Sequence, residues 1–359
     1  MKIPFLDLSR MDQALQATLK DKFAKVLKEG RFSFGEEVLT FEKRVEDRLQ
    51  SPHAISCANG TDALELALRA LNIGPGDEVI VPAMTWVSTA EVVLMIGATP
   101  VFWDTDAWGL LRSDWEKAIS PRTKAVIPVH LYGMMVPMAD LMAKAKKADI
   151  FVIEDAAQAF GSFQEGKAAG TWGDVGCLSF YPTKNLGALG EAGMCLTNQK
   201  ELAEQIRLLS NHGQAQRDVH SLVGRNSRID TLQAAFLNVL LERFDEFQEK
   251  RRILAEIYWE ELAGIEGLTL PPKAEDSNLH LFVIQTEKRD LLKEFLQSNG
   301  VGTAIHYPII VPDIPVYKQD GDFANARKLS QNGLSLPLNP WLEVKEVVEV
   351  CRLVKEFFT

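Results

Sequence analysis

From Ala54 onward, short apolar runs alternate with stretches whose apolar residues recur at helical spacing. AISC, EVIVPA (78–83), TPVFWD (99–104), AVIPVHL (125–131) and IFVIED (150–155) have strand length and end in turn signals such as GPGD at 74–77. Helical patterns fill the gaps at 61–71, 89–96 and 138–148. Near-continuous apolar strands alternating with helices predict an α/β fold, a mostly parallel sheet covered on both faces. In such a sheet ligands sit beyond the carboxyl ends of the strands.

The flanks read differently. Residues 1–30 form an amino-terminal arm, followed by an amphipathic helix around 36–49. Beyond the alternating region come the stretch GCLSFYPTKNLGALGEAG (176–193), a strand MCLT, a helix at 200–210 and a polar loop at 211–228. Residues 230–264 stay helical without an evident stop, which predicts a bent helix carrying the chain into a second domain. The tail reads as a small α+β domain: LHLFVIQT, a helix at 288–298, VGTAIHYP, a helix near 323–331 and a closing helix at 344–358. The expected division is an arm at 1–30, a large cofactor-binding domain at 31–245 and a small carboxyl-terminal domain at 246–359.

Composition narrows the function. With 359 residues, 46% of them hydrophobic and 25% charged, the chain has the make-up of a soluble globular protein with a sizeable core. A net charge of -10 argues against nucleic acid and anionic membranes as partners. The start, MKIPFLDLSR, lacks the apolar core of a signal peptide, and no run reaches membrane-spanning length, so a cytoplasmic protein is expected. The four cysteines are scattered and the six histidines show no paired ligand spacing; no metal is expected.

The candidate chemistry centres on Lys184. It follows the aromatic run Cys177 to Tyr181 and precedes Gly187, Gly190 and Gly193, a spacing suited to closely approached backbone. A lysine beside desolvating aromatics loses proton affinity, which prepares its amine to form a Schiff base with a carbonyl. Glu154 and Asp155 end the strand IFVIED, where a carboxylate reaches the ligand crevice and can pair with a cationic ring nitrogen. Gln158 adds an amide donor in the following loop. Asn59, Gly60 and Thr61 precede a helix and offer amides, a hydroxyl and the positive helix end to an anion, although Thr61 and Asp62 also suit plain capping. Trp86 follows the strand EVIVPA and can stack on a flat ring. The segment GALGEAG does not match GxGxxG, so a nicotinamide loop is excluded. Arg225, Asn226 and Arg228 make a compact cationic loop that could serve anions.

GTDALELAL, EVIVPAMTWVSTA, PVHLYG, VIEDAAQAFGS, GCLSFYPTKNLGALGEAGM, RNSRIDTLQAAFL and VGTAIHYP, in this order, resemble the DegT/DnrJ/EryC1/StrS family of sugar aminotransferases. The resemblance covers nearly the whole chain. It implies an aspartate aminotransferase-like fold (fold type I) and pyridoxal 5'-phosphate as cofactor. It implies that Lys184 carries the cofactor and shuttles the proton, and that Asp155 keeps the ring nitrogen protonated. Gln158 is then expected on the phenolic oxygen and Trp86 on the ring face, with Gly60, Thr61, Asp62 and Ser179 around the phosphate. Asn226 is expected to reach the phosphate of a neighbouring subunit, giving a homodimer with shared active sites. His306, Tyr307, Tyr181 and Arg225 fall on the substrate side. Two departures stand out: IIVPDIPVY follows HYP where relatives often carry another histidine and a longer loop, and Ala192 replaces a glycine of the pattern GEGG.

The implied reaction moves an amino group from an amino acid, L-glutamate above others, to a nucleotide-linked keto sugar. A dehydratase on the same scaffold would carry histidine in place of Lys184. A non-catalytic nucleotide-sugar sensor would be favoured by an eroded motif or an added DNA-binding segment, and neither is seen.

Overall fold

The computed structural model describes residues 2–274 and 276–359; Met1 of the expected arm and Glu275 of the expected small domain lie outside the described residues. In chain order the elements are α1 (Gln13–Glu29), α2 (Glu36–Leu49), β1 (His53–Cys57), α3 (Gly60–Ala70), β2 (Glu78–Pro82), α4 (Ser88–Met95), β3 (Thr99–Trp103) and β4 (Thr123–Val126). They continue with α5 (Met138–Ala148), β5 (Phe151–Asp155), the short hairpin β6 (Phe163–Gln164) and β7 (Lys167–Ala168), then β8 (Val175–Ser179), β9 (Gly193–Thr197) and α6 (Lys200–Ser210). A second hairpin, β10 (Gln214–Gln216) and β11 (Val219–His220), precedes α7 (Thr231–Glu242), α8 (Phe244–Leu262), β12 (Phe282–Gln285), α9 (Arg289–Ser298), α10 (Ala324–Asn332), β13 (Gly333–Leu336) and α11 (Val344–Phe358).

The central sheet has the order β1-β9-β8-β5-β4-β2-β3. β3, β2, β4, β5 and β8 run parallel; β9 is antiparallel to β8 and to β1. Side chains alternate across it: Val79 and Val81 of β2 enter the core beneath α3 and α4, whereas Ile80 enters the one beneath α5. The same alternation puts Asp155 on the face of Ile153, toward α4, and Glu154 on the opposite face. There Glu154 is fully buried and accepts from His130 Nε2 (2.9 Å) and from the amides of Gly170 (2.9 Å), Trp172 (2.7 Å) and Gly173 (2.8 Å). Four donors on one carboxylate satisfy a charge that burial would otherwise make costly.

Several local expectations are revised. Residues 13–29 of the arm form α1, with Asp12 as its cap and Leu15, Leu19 and Val26 on its buried face. The long helical stretch divides at Arg243, whose backbone leaves helical geometry between α7 and α8. The polar loop holds β10 and β11. VGTAIHYP forms no strand, only single bridges from Val301 to Ile3 and from Ala304 to Ser335.

The tail packs as its own layer: β12 pairs antiparallel with β13, and α8, α9 and α11 cover the core of Tyr258, Phe282, Leu292 and Val350. α8 spans residues 245 and 246, giving Phe244 and Phe247 to the core of the large sheet and Leu254, Tyr258 and Leu262 to the core of the tail. The first residues of the chain belong to this tail layer. Ile3, 1% exposed, donates its amide to Gly300 O (2.8 Å) and accepts from Gly302 N (2.8 Å). Asn339 Nδ2 holds Phe5 O (3.0 Å), and Arg10 makes a forked pair with Glu346 (2.8 and 3.0 Å).

Candidate active site

The carboxyl ends of β5 and β8 and the amino end of α3 meet at one crevice. Asn59 caps α3 by accepting from Asp62 N (2.8 Å), and the amides of Gly60 and Thr61 are left without intrahelical acceptors, as a first helical turn requires. Gly60 presses against the end of β8, where an added Cβ would lie 2.7 Å from Ser179 Cβ and 3.1 Å from its Oγ. Ser179 Oγ accepts from Tyr181 N (3.3 Å), leaving its proton free to donate. Thr61 Oγ1 lies 2.8 Å from Ser88 Oγ at the start of α4. Amides, hydroxyls and a helix amino end thus converge as an anion site.

Across the crevice, Asp155 Oδ2 accepts from Thr89 Oγ1 (2.8 Å) and Oδ1 from Ala157 N (3.2 Å). Thr85 in turn bonds Thr89 at 2.8 Å, fixing the hydroxyl chain. Burial pushes the Asp155 carboxyl up, against the opposing effects of the Thr89 bond and of Lys184. Lys184 lies in the loop between β8 and β9, its amide bonded to Tyr181 O (2.8 Å). Burial lowers its amine to about 8, with Asp155 working in the other direction. Burial and Lys184 push His306 down to about 4, and its Nδ1 bonds Ser335 Oγ at 2.8 Å.

Gln158 is held at both ends: Oε1 accepts from Tyr132 N (2.7 Å) and Nε2 donates to Tyr307 Oη (3.0 Å). The expected bond to a phenolic oxygen therefore has to use its second N–H or share with Tyr307. Trp86 is 57% exposed, with its ring centroid 5.5 Å from that of Tyr307. Tyr181 is exposed at the loop before Lys184.

Two of the expected site residues are engaged within the chain. The Asp62 amide is engaged by Asn59, and its carboxylate turns to Ser227 Oγ (2.6 Å) and Arg225 (3.1 Å), so this side chain faces away from an anion. Arg225 pairs with Asp62 and with the buried Glu65, which also holds Arg69 (2.7 Å), so its charge is neutralised within the chain. Asn226 is exposed, and its backbone bridges to Asn211. Sequence reading also passed over Thr85 and Thr89, which orient Asp155, and over Asn185, whose side chain ties the lysine loop to α8. The only signal for the threonines was their place just past β2, at the crevice end of the sheet.

The donor set fits pyridoxal phosphate. A desolvated amine, a carboxylate ordered by two donors and an anion site at the amino end of α3 match its aldehyde, ring nitrogen and phosphate. Among the described residues no helix is long and apolar enough to cross a membrane, and no cluster of His, Cys, Asp and Glu could hold a metal.

Residues 13–355 match the model of the DegT/DnrJ/EryC1/StrS aminotransferase family. The chain is 40% identical to dTDP-3-amino-3,4,6-trideoxy-alpha-D-glucose transaminase of Streptomyces venezuelae, over 99% of this chain and 96% of the relative. It is 41% identical to UDP-N-acetyl-3-dehydro-alpha-D-glucosamine 3-aminotransferase of Acidithiobacillus ferrooxidans, over 98% and 97%. A relative from Geobacillus stearothermophilus called a pleiotropic regulatory protein is 39% identical, over 100% and 99%. Among solved structures, DesV of S. venezuelae in complex with a ketimine intermediate superposes with a TM-score of 0.96 at 40% identity, over 99% and 98% of the two chains. The PLP form of the sugar aminotransferase Spr1654 from Streptococcus pneumoniae superposes with a TM-score of 0.90 at 27% identity, over the full length of both.

Proposed function

Because the chain belongs to the DegT/DnrJ/EryC1/StrS aminotransferase family, we propose that it transfers an amino group from an amino acid, L-glutamate in our reading, to a nucleotide-linked keto sugar. The observation that carries this reading is the convergence of Lys184, a carboxylate whose orientation two donors fix and the anion site at the amino end of α3. Pyridoxal phosphate, when bound, supplies the electron sink that makes the proton on the amine-bearing carbon removable. The residues around it do the rest.

Lys184 Nζ would hold the cofactor, and its amine, when free, would be the base that takes the carbon-bound proton and returns it. Burial lowers this amine to about 8 in the cofactor-free site, the direction a base working near neutral pH needs. Asp155 holds a proton on the ring nitrogen through a charge-assisted hydrogen bond, with Thr89 and the Ala157 amide keeping its oxygens in place. The amides of Gly60 and Thr61 and the hydroxyl of Ser179 bind the phosphate. Trp86 covers the ring face, and His306, Tyr307 and Tyr181 bound the substrate side. His306, lowered to about 4, is uncharged at neutral pH and adds no repulsion against Lys184.

We place the cofactor site in residues 31–245 and the closing face in residues 246–359. A homodimer completes the site through the exposed Asn226. Exposed Phe32, Phe34 and Leu39, with Val219 and Val223 beyond α6, give a second copy apolar surface to cover. The compartment in this reading is the cytoplasm, in keeping with four buried free thiols.

The test is a pair of variants. Loaded wild type absorbs as a lysine-linked cofactor and converts keto sugar with glutamate; Lys184→Ala loses both. Mixed with Asn226→Ala under proven subunit exchange, Lys184→Ala regains activity if sites are shared. Wild type that takes up no pyridoxal phosphate overturns the reading in favour of the regulatory one that a relative's name carries.

A further inference from the structure

One buried residue bonds both loops that carry the reactive groups. Asn278, 1% exposed, lies between α8 and β12, outside every motif of the crevice. Its Nδ2 donates to Gln158 O (2.9 Å) and Phe160 O (3.0 Å), in the loop that follows Asp155. Its backbone carbonyl accepts from Asn185 Nδ2 (2.6 Å), next to Lys184, and from Gln248 Nε2 of α8 (3.0 Å). Its Oδ1 accepts from His280 N (3.0 Å), and its amide donates to Ser162 Oγ (2.9 Å). Gly133 fits against it only as glycine, since an added Cβ would stand 2.0 Å from Asn278 Oδ1.

The surrounding groups close the network. Asn185 also donates to Gln248 Oε1 (2.8 Å), so its Oδ1 is the acceptor that receives the Nδ1 proton of His280 (2.9 Å). Arg251, 4% exposed, holds the carbonyls of Leu279 (3.3 Å), His280 (3.4 Å) and Leu338 (2.8 Å). Buried amides tied to this many partners do not serve solubility; each bond fixes one backbone against another.

We propose that Asn278 is a positioning residue, which sets the placement of Lys184 relative to the Asp155 loop by bonding both and ties that placement to the segment entering β12. This rests on the reading of Lys184 as the reactive amine. The charged and titratable groups facing Lys184 are Asp155, His280 and His306, and Arg251 faces His280. Burial acts on the Lys184 amine more strongly than Asp155 does. Loosening the two loops therefore relieves the larger effect, and the amine moves back toward its ordinary value.

The experiment follows Lys184 in the full-length, cofactor-free protein by competitive labelling with acetic anhydride across the pH range, read by peptide mass spectrometry. Asn278→Ala is expected to raise the labelling midpoint by about one unit, which means roughly tenfold less free amine below it. Asn185→Ala, which frees the lysine side of the network alone, is expected to move it in the same direction, and it serves if Asn278→Ala does not fold. A lower thermal midpoint with an unmoved or lowered labelling midpoint would show a purely structural residue and overturn the proposal. Uptake of pyridoxal phosphate by wild type is scored separately, so a protein that binds no cofactor fails the functional reading without touching this one.

Discussion

Of the three glycines after Lys184, Gly190 and Gly193 should differ sharply in what they tolerate. None needs a left-handed backbone; what distinguishes them is the neighbour that an added methyl would meet. At Gly193 a Cβ would stand 2.2 Å from Asn59 O, about 1.2 Å closer than the 3.4 Å at which ordinary contact begins. Asn59 C at 2.3 Å and Gly60 N at 2.8 Å are also in the way, and all three atoms are backbone. Because Asn59 caps α3, its displacement moves the amides that form the anion site. We expect Gly193→Ala to cost about 1–3 kcal/mol of stability through overpacking. Losing one charge-assisted bond to the phosphate would add about 1.5–3 kcal/mol to the binding cost, or roughly 10- to 100-fold in affinity. Titrating cofactor-free protein by absorbance with pyridoxal phosphate, and in parallel with pyridoxal, isolates the phosphate end: the first should weaken far more than the second. At Gly190 the nearest atom is the side-chain amide of Gln233 at 2.8 Å, which can swing aside, so Gly190→Ala should retain affinity. Equal losses for the two ligands, or unchanged affinity in Gly193→Ala, would refute the argument that β9 holds the anion site in place.

Other outcomes follow from the charges. Asp155→Asn removes the group that favours the Lys184 ammonium, so its labelling midpoint should fall below about 8. The folded amine lies below the value 10.5 of an ordinary lysine, so between about 8 and 10.5 the unfolded chain holds the extra proton. Lys184 alone should therefore contribute up to about 3 kcal/mol of stability as pH rises through that window, lost as pH falls again. Urea unfolding of wild type and Lys184→Met at both ends of the window checks this: the difference between the two should change by that amount. The buried thiols of Cys57 and Cys177, pushed up by burial, and of Cys195, pushed up by its bond to Cys177, act equally on both. Glu154→Gln would turn an NH2 group toward a cluster of N–H donors. It should cost about 2–3 kcal/mol, read as a lowered thermal midpoint.

The strand ends that position Asp155 and Lys184 were legible because apolar runs end where the crevice begins, and an acid or a lysine just past such a run is visible in one dimension. The direction of β9 was not: MCLT is as apolar as the parallel strands, and only its pairing with β8 and β1 reveals the reversal. α1 lay within the stretch read as an arm although Leu15, Leu19, Phe23 and Val26 recur at helical spacing; of these only Phe23 stays exposed. Arg225 resembled an anion-binding cation, since its partners Asp62 and Glu65 lie 160 or more positions away in sequence. Asn278 gave no periodic or compositional sign, and single buried amides acquire meaning only through the backbones that surround them.

Residues 2–10 complete a layer that the carboxyl-terminal elements build. Ile3 fills the core of Tyr258 and Phe282, and Arg10 grips Glu346 on the closing helix. Ile3 meets Gly300 and Arg10 meets Glu346, contacts of long sequence separation that are formed late and are costly in loop entropy. The carboxyl-terminal layer is thus sealed by a segment remote from it in sequence, and Ile3→Ala should loosen that core.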